Sequence, residues 1–307
     1  MKNSGLCIKF KFLYVLFSIL SLGASVFAQD EEEVINVNTS LVVLNAVVTN
    51  ANGKYVLGLK QGDFKVFEDG KEQAITNFST EETSYAAAVL IDTSGSMETR
   101  MSVARSAAIR FLEGLRTDDV AAIYNFDSKV TQIQDFSPSR DLPNNAYELK
   151  AYGMTVLNDA IVQAARDLSN RPETRRAIIV LSDGADTKSG ASQDKAIKAA
   201  LAANATIYTV DMSALDGSPS GRGQNISALK GFAEKSGGRF LSVAGGPALR
   251  QAFKQIVEEL GAQYTLGYST EAKPDGKWHN LEIRLSRPTL QVRTRKGFNA
   301  PKEKSKK

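Results

Sequence analysis

Residues 85–97 read YAAAVLIDTSGSM. The nearly unbroken apolar run at 85–91 fits a strand buried on both faces of a parallel sheet. It stops at Asp92, and Asp92-Thr93-Ser94-Gly95-Ser96 then sets one acid and several hydroxyls just past the strand's carboxyl end. A chain leaving a strand for a helix must turn sharply, and Gly95 is expected to relax that turn. Residues two apart can face the same way, so Asp92, Ser94 and Ser96 can converge on one point.

Outward from this stretch, strand and helix patterns alternate. Val103, Ala107, Phe111 and Leu115 recur every four residues and predict a helix over 101–115. Strands are expected at 120–126 (VAAIYNF), 177–181 (AIIVL), 206–210 and 240–243, with 130–136 as a hairpin partner after Asp127-Ser128. Helices are expected at 157–168, 193–203, 227–235 and 247–260. Gly237-Gly238 follows the third of these as a C-cap, and Pro247 opens the fourth. This order predicts a doubly wound, Rossmann-like α/β domain with helices on both faces of the sheet. Ligands of such sheets bind beyond the carboxyl ends of the strands. The polar clusters fall there: 92–96 after the first strand, Gly153-Met154-Thr155 before a helix, and Asp183-Gly184 after the central strand. The loop 213–225 should border the same face.

The flanks read differently. Residues 34–49 and 64–67 alternate apolar and polar, as do 264–268, 281–285 and 290–294. Asn52-Gly53 and Asp69-Gly70 are hairpin turns, and Pro274-Asp275-Gly276 is another turn. Each flank has too few strands for a core of its own. The two are expected to pair into one small β-sandwich with the α/β domain inserted between them. The expected boundaries are a signal peptide at 1–28, an N-terminal β flank at 29–84, the α/β domain at 85–262, a C-terminal β flank at 263–300 and a basic tail at 301–307.

The leader reading rests on Lys2, Lys9 and Lys11, an apolar run over about 12–22, and small residues at Val26-Phe27-Ala28. That apolar run is shorter than the ~20 residues of a bilayer span. Of 38 basic and 34 acidic residues, cleavage removes three basic ones and the single Cys7. The mature chain is then nearly neutral and free of cysteine, which suits a periplasmic or secreted location with no stable membrane anchor. Near-neutrality gives no ground for nucleic-acid binding. Without cysteine and with only His279, thiolate zinc sites are excluded and imidazole chemistry is confined to one residue.

The three clusters offer two carboxylates, Asp92 and Asp183, and the hydroxyls of Ser94, Ser96 and Thr155. An all-oxygen set suits a hard divalent cation, Mg²⁺ first, with Mn²⁺ or Ca²⁺ as alternatives. Hydroxyl ligands leave such a cation under-neutralised and open to an external carboxylate. Taken alone, the residues leave plainer roles open. Ser96 or Thr99 would cap the first helix, Thr155 the next, and Asp183 would sit in an ordinary turn. Asp159 reads as a helix-surface or supporting group, Asp186 and Thr187 as solvated loop residues, and His279 as structural.

VLIDTSGSM (89–97), GMTVLNDAI (153–161) and IIVLSDG (178–184) together resemble the von Willebrand factor type A (VWA) family with its metal-ion-dependent adhesion site (MIDAS). The resemblance covers about 85–260. The stretches DFKVFEDGKEQAITNF (63–78), WHNLEIRL (278–285) and VRTRKGF (292–298) resemble exported VWA-related proteins of Acidobacteria. The VWA resemblance implies that Asp92, Ser94 and Ser96, Thr155 and Asp183 hold a divalent metal, the hydroxyls directly and the acids often through water. It also implies a protein ligand presenting Asp or Glu, and no enzymatic activity. Met154 stands where a second glycine is common, which would make that loop bulkier. Two other classes compete. In a phosphatase-like Mg²⁺ hydrolase Asp92 would be the nucleophile, but the second acid such sites place two residues on is here Ser94. A structural envelope scaffold would have a degenerate metal site.

Overall fold

A computed structural model describes residues 40–80, 83–213, 222–242 and 245–301. The leader at 1–28, the acidic run after it, the alternating residues before Ser40, most of the loop 213–225 and the tail beyond Pro301 lie outside the described residues.

The first flank supplies β1 (Ser40–Thr49), β2 (Phe64–Glu68), β3 (Lys71–Gln73) and β4 (Asn77–Ser79). The α/β part follows with β5 (Tyr85–Asp92), a 3₁₀ segment (Gly95–Arg100), α1 (Met101–Glu113), β6 (Val120–Phe126), β7 (Val130–Ser137) and α2 (Asn144–Tyr147). It continues through α3 (Leu157–Ser169), β8 (Arg175–Ser182), α4 (Gln193–Ala202), β9 (Ala205–Asp211), α5 (Arg222–Ser236), β10 (Phe240–Ser242) and α6 (Gly246–Gly261). The second flank adds β11 (Tyr264–Thr270), β12 (Trp278–Leu285), β13 (Gln291–Arg293) and β14 (Gly297–Asn299).

The central sheet runs β10-β9-β8-β5-β6-β7, parallel except for the edge strand β7. Every residue of β5 is buried, because helices cover both faces. Ala87, Val89 and Ile91 face a core closed by α1 and α6, through Phe111, Phe253 and Ile256. Ala86, Ala88 and Leu90 face the other core, closed by α3, α4 and α5 through Ile161, Ile197 and Phe232. The small alanines let the helices approach the sheet closely. On α1 the buried stripe is Met101, Ala104, Ala107, Ala108, Phe111 and Leu112. A strict four-residue row drifts around a 3.6-residue helix, so Val103 falls at the edge of that stripe.

The flanks form two antiparallel four-stranded sheets, β13-β1-β11-β4 and β14-β12-β2-β3, each built from both ends of the chain. Alternate residues Val42, Leu44, Ala46 and Val48 of β1 meet Phe64, Val66, Tyr264, Leu266, Tyr268, Leu281 and Ile283 in one shared core. This is the expected sandwich, and the α/β part is inserted into it. Asp69 (φ 47°) and Gly70 (φ 83°) make the hairpin turn between β2 and β3.

A buried arginine ties the two parts together. Arg175, at the start of β8, is fully buried. Its Nε donates to Thr265 Oγ1 on β11 (2.9 Å), and Nη1 and Nη2 donate to the carbonyls of Thr83 (3.3 Å) and Thr80 in the crossing segment. An unsatisfied buried polar group costs about 1–3 kcal/mol. Arg175→Met is therefore expected to lower the unfolding free energy by about 2–4 kcal/mol in urea titrations with a native-like circular dichroism spectrum. A loss under ~1 kcal/mol would contradict this role.

Candidate metal centre

Asp92 is the last residue of β5, and Ser182 the last of the neighbouring β8. The Asp92 side chain is fully buried. Its Oδ1 accepts from the Ser94 amide (2.9 Å) and its Oδ2 from Ser182 Oγ (2.5 Å). Ser182 Oγ in turn accepts from the Gly184 amide (3.0 Å). Burial pushes the Asp92 carboxyl up to about 6; the hydrogen bonds from Ser182 and Ser94 oppose the shift, and the nearby charge of Asp183 adds to it.

The three loops brace one another. The Gly95 amide donates to the Gly153 carbonyl (3.2 Å) and the Tyr152 amide to the Thr93 carbonyl (2.8 Å). The Thr155 amide donates to Thr187 Oγ1 (2.9 Å), and the amides of Thr187 and Lys188 both return to the Thr155 carbonyl (3.0 Å each). Asp183 Oδ1 accepts from the Ala185 amide (3.1 Å), and its Oδ2 lies 3.5 Å from Arg100 Nη1. Met97, fully buried, anchors the first loop in the core. Residues far apart in sequence thus meet at one end of the sheet.

The hydroxyls are not used as caps. The N-cap of the 3₁₀ segment is Ser94 and that of α3 is Val156, and neither position makes a side-chain capping bond. Ser94 Oγ and Ser96 Oγ lie 3.2 Å apart. Thr155 is 3% exposed and Ser94 2%, whereas Ser96 is exposed. The donor set therefore fits a hard cation. A buried carboxylate has no cationic partner among the described residues, and nearby hydroxyl oxygens are not spent on helix ends.

The structure adds detail to three of these readings. Gly95 stands in the turn as expected, and the positive φ angles of the three loops fall at Gly153 (79°) and Gly184 (83°). A Cβ on Gly153 would lie 2.6 Å from Ser128 Oγ, and one on Gly184 would lie 2.5 Å from the Asn225 carbonyl oxygen on α5. Met154 does not crowd its loop, because its side chain is 54% exposed. Asp186 and Thr187 are exposed, yet they hold the Thr155 loop: Asp186 Oδ2 accepts from the Asn158 amide (2.7 Å) in the first turn of α3. Asp159 is a supporting group, accepting from the amides of Gly190 and Ala191 (2.9 Å each).

Residues 87–185 match the family model described as von Willebrand factor type A domain. This stretch, from β5 into the loop after β8, is similar to a von Willebrand factor type A domain. Among solved structures, a von Willebrand factor type A protein from Catenulispora acidiphila is 13% identical with a TM-score of 0.49, over 87% of this chain and 75% of that one. The vWF domain of the type V pili tip protein Mfa5 from Porphyromonas gingivalis is 14% identical with a TM-score of 0.45, over 59% and 95%. An aerotolerance-related membrane protein from Bacteroides fragilis is 17% identical with a TM-score of 0.46, over 57% and 98%. No curated protein matches.

Outside these loops, Glu68, Asp69 and His279 bring ligand atoms within 4.8 Å of one another. His279 Nδ1 lies 2.8 Å from Asp69 Oδ2 and 3.2 Å from Glu68 Oε1. Glu68 also accepts from the hydroxyls of Tyr268 (2.8 Å) and Thr270, and Asp69 from the Asn280 amide (2.8 Å). These atoms are engaged within the sandwich, which agrees with a structural His279. Ser182, Ser128, Thr187 and Arg100 are the participants that motif reading missed; single Ser, Thr and Arg residues carry no pattern until the strands are registered.

The raised Asp92 carboxyl has a measurable sign. The folded value, about 6, exceeds the unfolded value near 3.8. The folded state therefore binds the extra proton, and the gain is full below the unfolded value and lost as pH rises through about 6. In chelator, wild type should gain about 2 kcal/mol relative to Asp92→Ala between pH 7 and pH 4. Parallel stability–pH curves for the two proteins would refute this.

Proposed function

We propose that this chain is an exported, non-enzymatic binding protein that captures an Asp or Glu side chain of a protein partner through a divalent cation. Asp92, Ser94, Ser96, Thr155 and Asp183 would hold the cation, Mg²⁺ first and Mn²⁺ or Ca²⁺ otherwise. When bound, it would supply a Lewis-acidic position for the partner's carboxylate. The observation that carries this reading is the pairing of a buried Asp92, without a cationic partner among the described residues, with hydroxyls that do not cap the helices beside them. Ser182 and the Ser94 amide orient Asp92, while Thr187 fixes the backbone that presents Thr155.

The rim supports a macromolecular partner. Tyr152 is 80% exposed and Met154 54% exposed, one to three residues before Thr155. Large apolar side chains standing in solvent beside a polar site suit protein contact. Export follows from the leader reading of residues 1–28, with the boundaries given above and a periplasmic or secreted destination. Among the described residues, no helix is long and apolar enough to cross a membrane.

Isothermal titration with MnCl₂ and MgCl₂ tests the site. Wild type should bind one cation, and Asp92→Ala and Thr155→Val should weaken binding about ten- to a hundredfold while melting cooperatively in chelator. Chelation should also release a carboxylate probe such as the peptide acetyl-Gly-Asp-Gly-amide. Wild-type titrations flat at millimolar cation would rule the reading out.

A further inference from the structure

Arg100 stands at the end of the 3₁₀ segment that begins with Gly95 and Ser96, and it is only 8% exposed. Its Nη1 donates to the Ser96 carbonyl (3.1 Å) and lies 3.5 Å from Asp183 Oδ2. This guanidinium therefore bridges the first and third loops, which carry four of the five proposed cation-binding residues. Its position is unfavourable for the helix it precedes, because a cation near a helix N-terminus opposes the helix dipole. Burying it is costly as well unless a partner anion is close. Both costs are incurred beside Asp183, so the arrangement serves the site rather than α1.

We propose that Arg100 sets the charge of this site, loosening its hold on the cation and tightening its hold on the partner's carboxylate. The inference rests on the metal reading above. Two charges meet the guanidinium with opposite results. A divalent cation is repelled by it and must share Asp183 with it. An incoming carboxylate meets a site one unit more positive than the same loops without Arg100. Unit charges several ångströms apart in a partly buried setting shift binding by roughly tenfold. A residue that merely held Asp183 in place would move both affinities in the same direction. A charge-setting residue moves them apart.

The test uses the mature full-length chain. Mn²⁺ binding is followed by electron paramagnetic resonance, and acetyl-Gly-Asp-Gly-amide binding at saturating Mn²⁺ by water-proton relaxation. Arg100→Gln should bind Mn²⁺ about tenfold tighter and the peptide about tenfold more weakly. Arg100→Lys, which keeps the charge, should stay within about threefold of wild type on both. Should Arg100→Gln not fold, Arg100→Met fills the same buried space and gives the same readout. Both affinities falling together, or neither changing, would overturn the role of Arg100 while leaving the metal site standing. Wild type failing to bind Mn²⁺ would overturn the metal site and this inference with it.

Discussion

The hydrogen bond from Ser182 Oγ to Asp92 Oδ2, 2.5 Å long, is the point on which the loop face depends. It joins the last residues of two adjacent parallel strands, registered so that Ile91 stands beside Leu181. A slip of one residue would turn Ser182 to the opposite face and leave a fully buried carboxylate with one donor fewer. The same interaction fixes two loops. Asp92 Oδ1 takes the Ser94 amide and bends the first loop back on itself, while Ser182 Oγ takes the Gly184 amide and starts the third. The second loop then docks on both, through Gly153 on Gly95 and Thr155 on Thr187.

The sandwich solves a different problem. Inserting one folded part into another leaves two crossing segments whose backbone groups need partners. Arg175 meets this at one crossing with donors to the carbonyls of Thr80 and Thr83. At the other, Glu259 near the end of α6 is 1% exposed and pairs with Arg293 of β13 and with Arg239 (3.5 Å). Tyr55 Oη adds a third contact to Glu259 at 3.3 Å. The charged residues sit where the chain passes from one core to the next, and the apolar side chains of each core remain separate.

This division explains what could be read from the chain alone. The parallel strands were legible because burial on both faces demands near-continuous apolar runs, as in YAAAVLI. The longer helices were legible from their stripes, and Asp69-Gly70 from its turn chemistry. The three-residue strands β3, β4 and β14 were not, since each exists only because a longer neighbour offers an edge. The proposed site residues lay just past recognisable strands or, for Thr155, just before a recognisable helix, but their braces did not. Ser182 became meaningful only with the β5–β8 register, and Thr187 only with the fold of the third loop. Gly95 was legible as a glycine in a turn, whereas the left-handed turns fall at Gly153 and Gly184.

Depth orders the chemistry of the loop face. Of the proposed site residues Asp92 lies deepest, Ser94 and Thr155 come nearly as deep, Ser96 and Asp183 reach the surface, and Tyr152 stands clear of it. Burial raises the Asp92 carboxyl, and the hydroxyl and amide donors around it oppose that shift. Arg100 is placed against Asp183 at the shallow end, and among the described residues Asp92 has no cationic partner. The fold thus neutralises the acid nearest solvent and keeps the deepest one uncompensated. An arrangement selected for stability alone would do the reverse, since a buried unpaired charge costs more than an exposed one. On the proposed reading, a bound cation would relieve this imbalance.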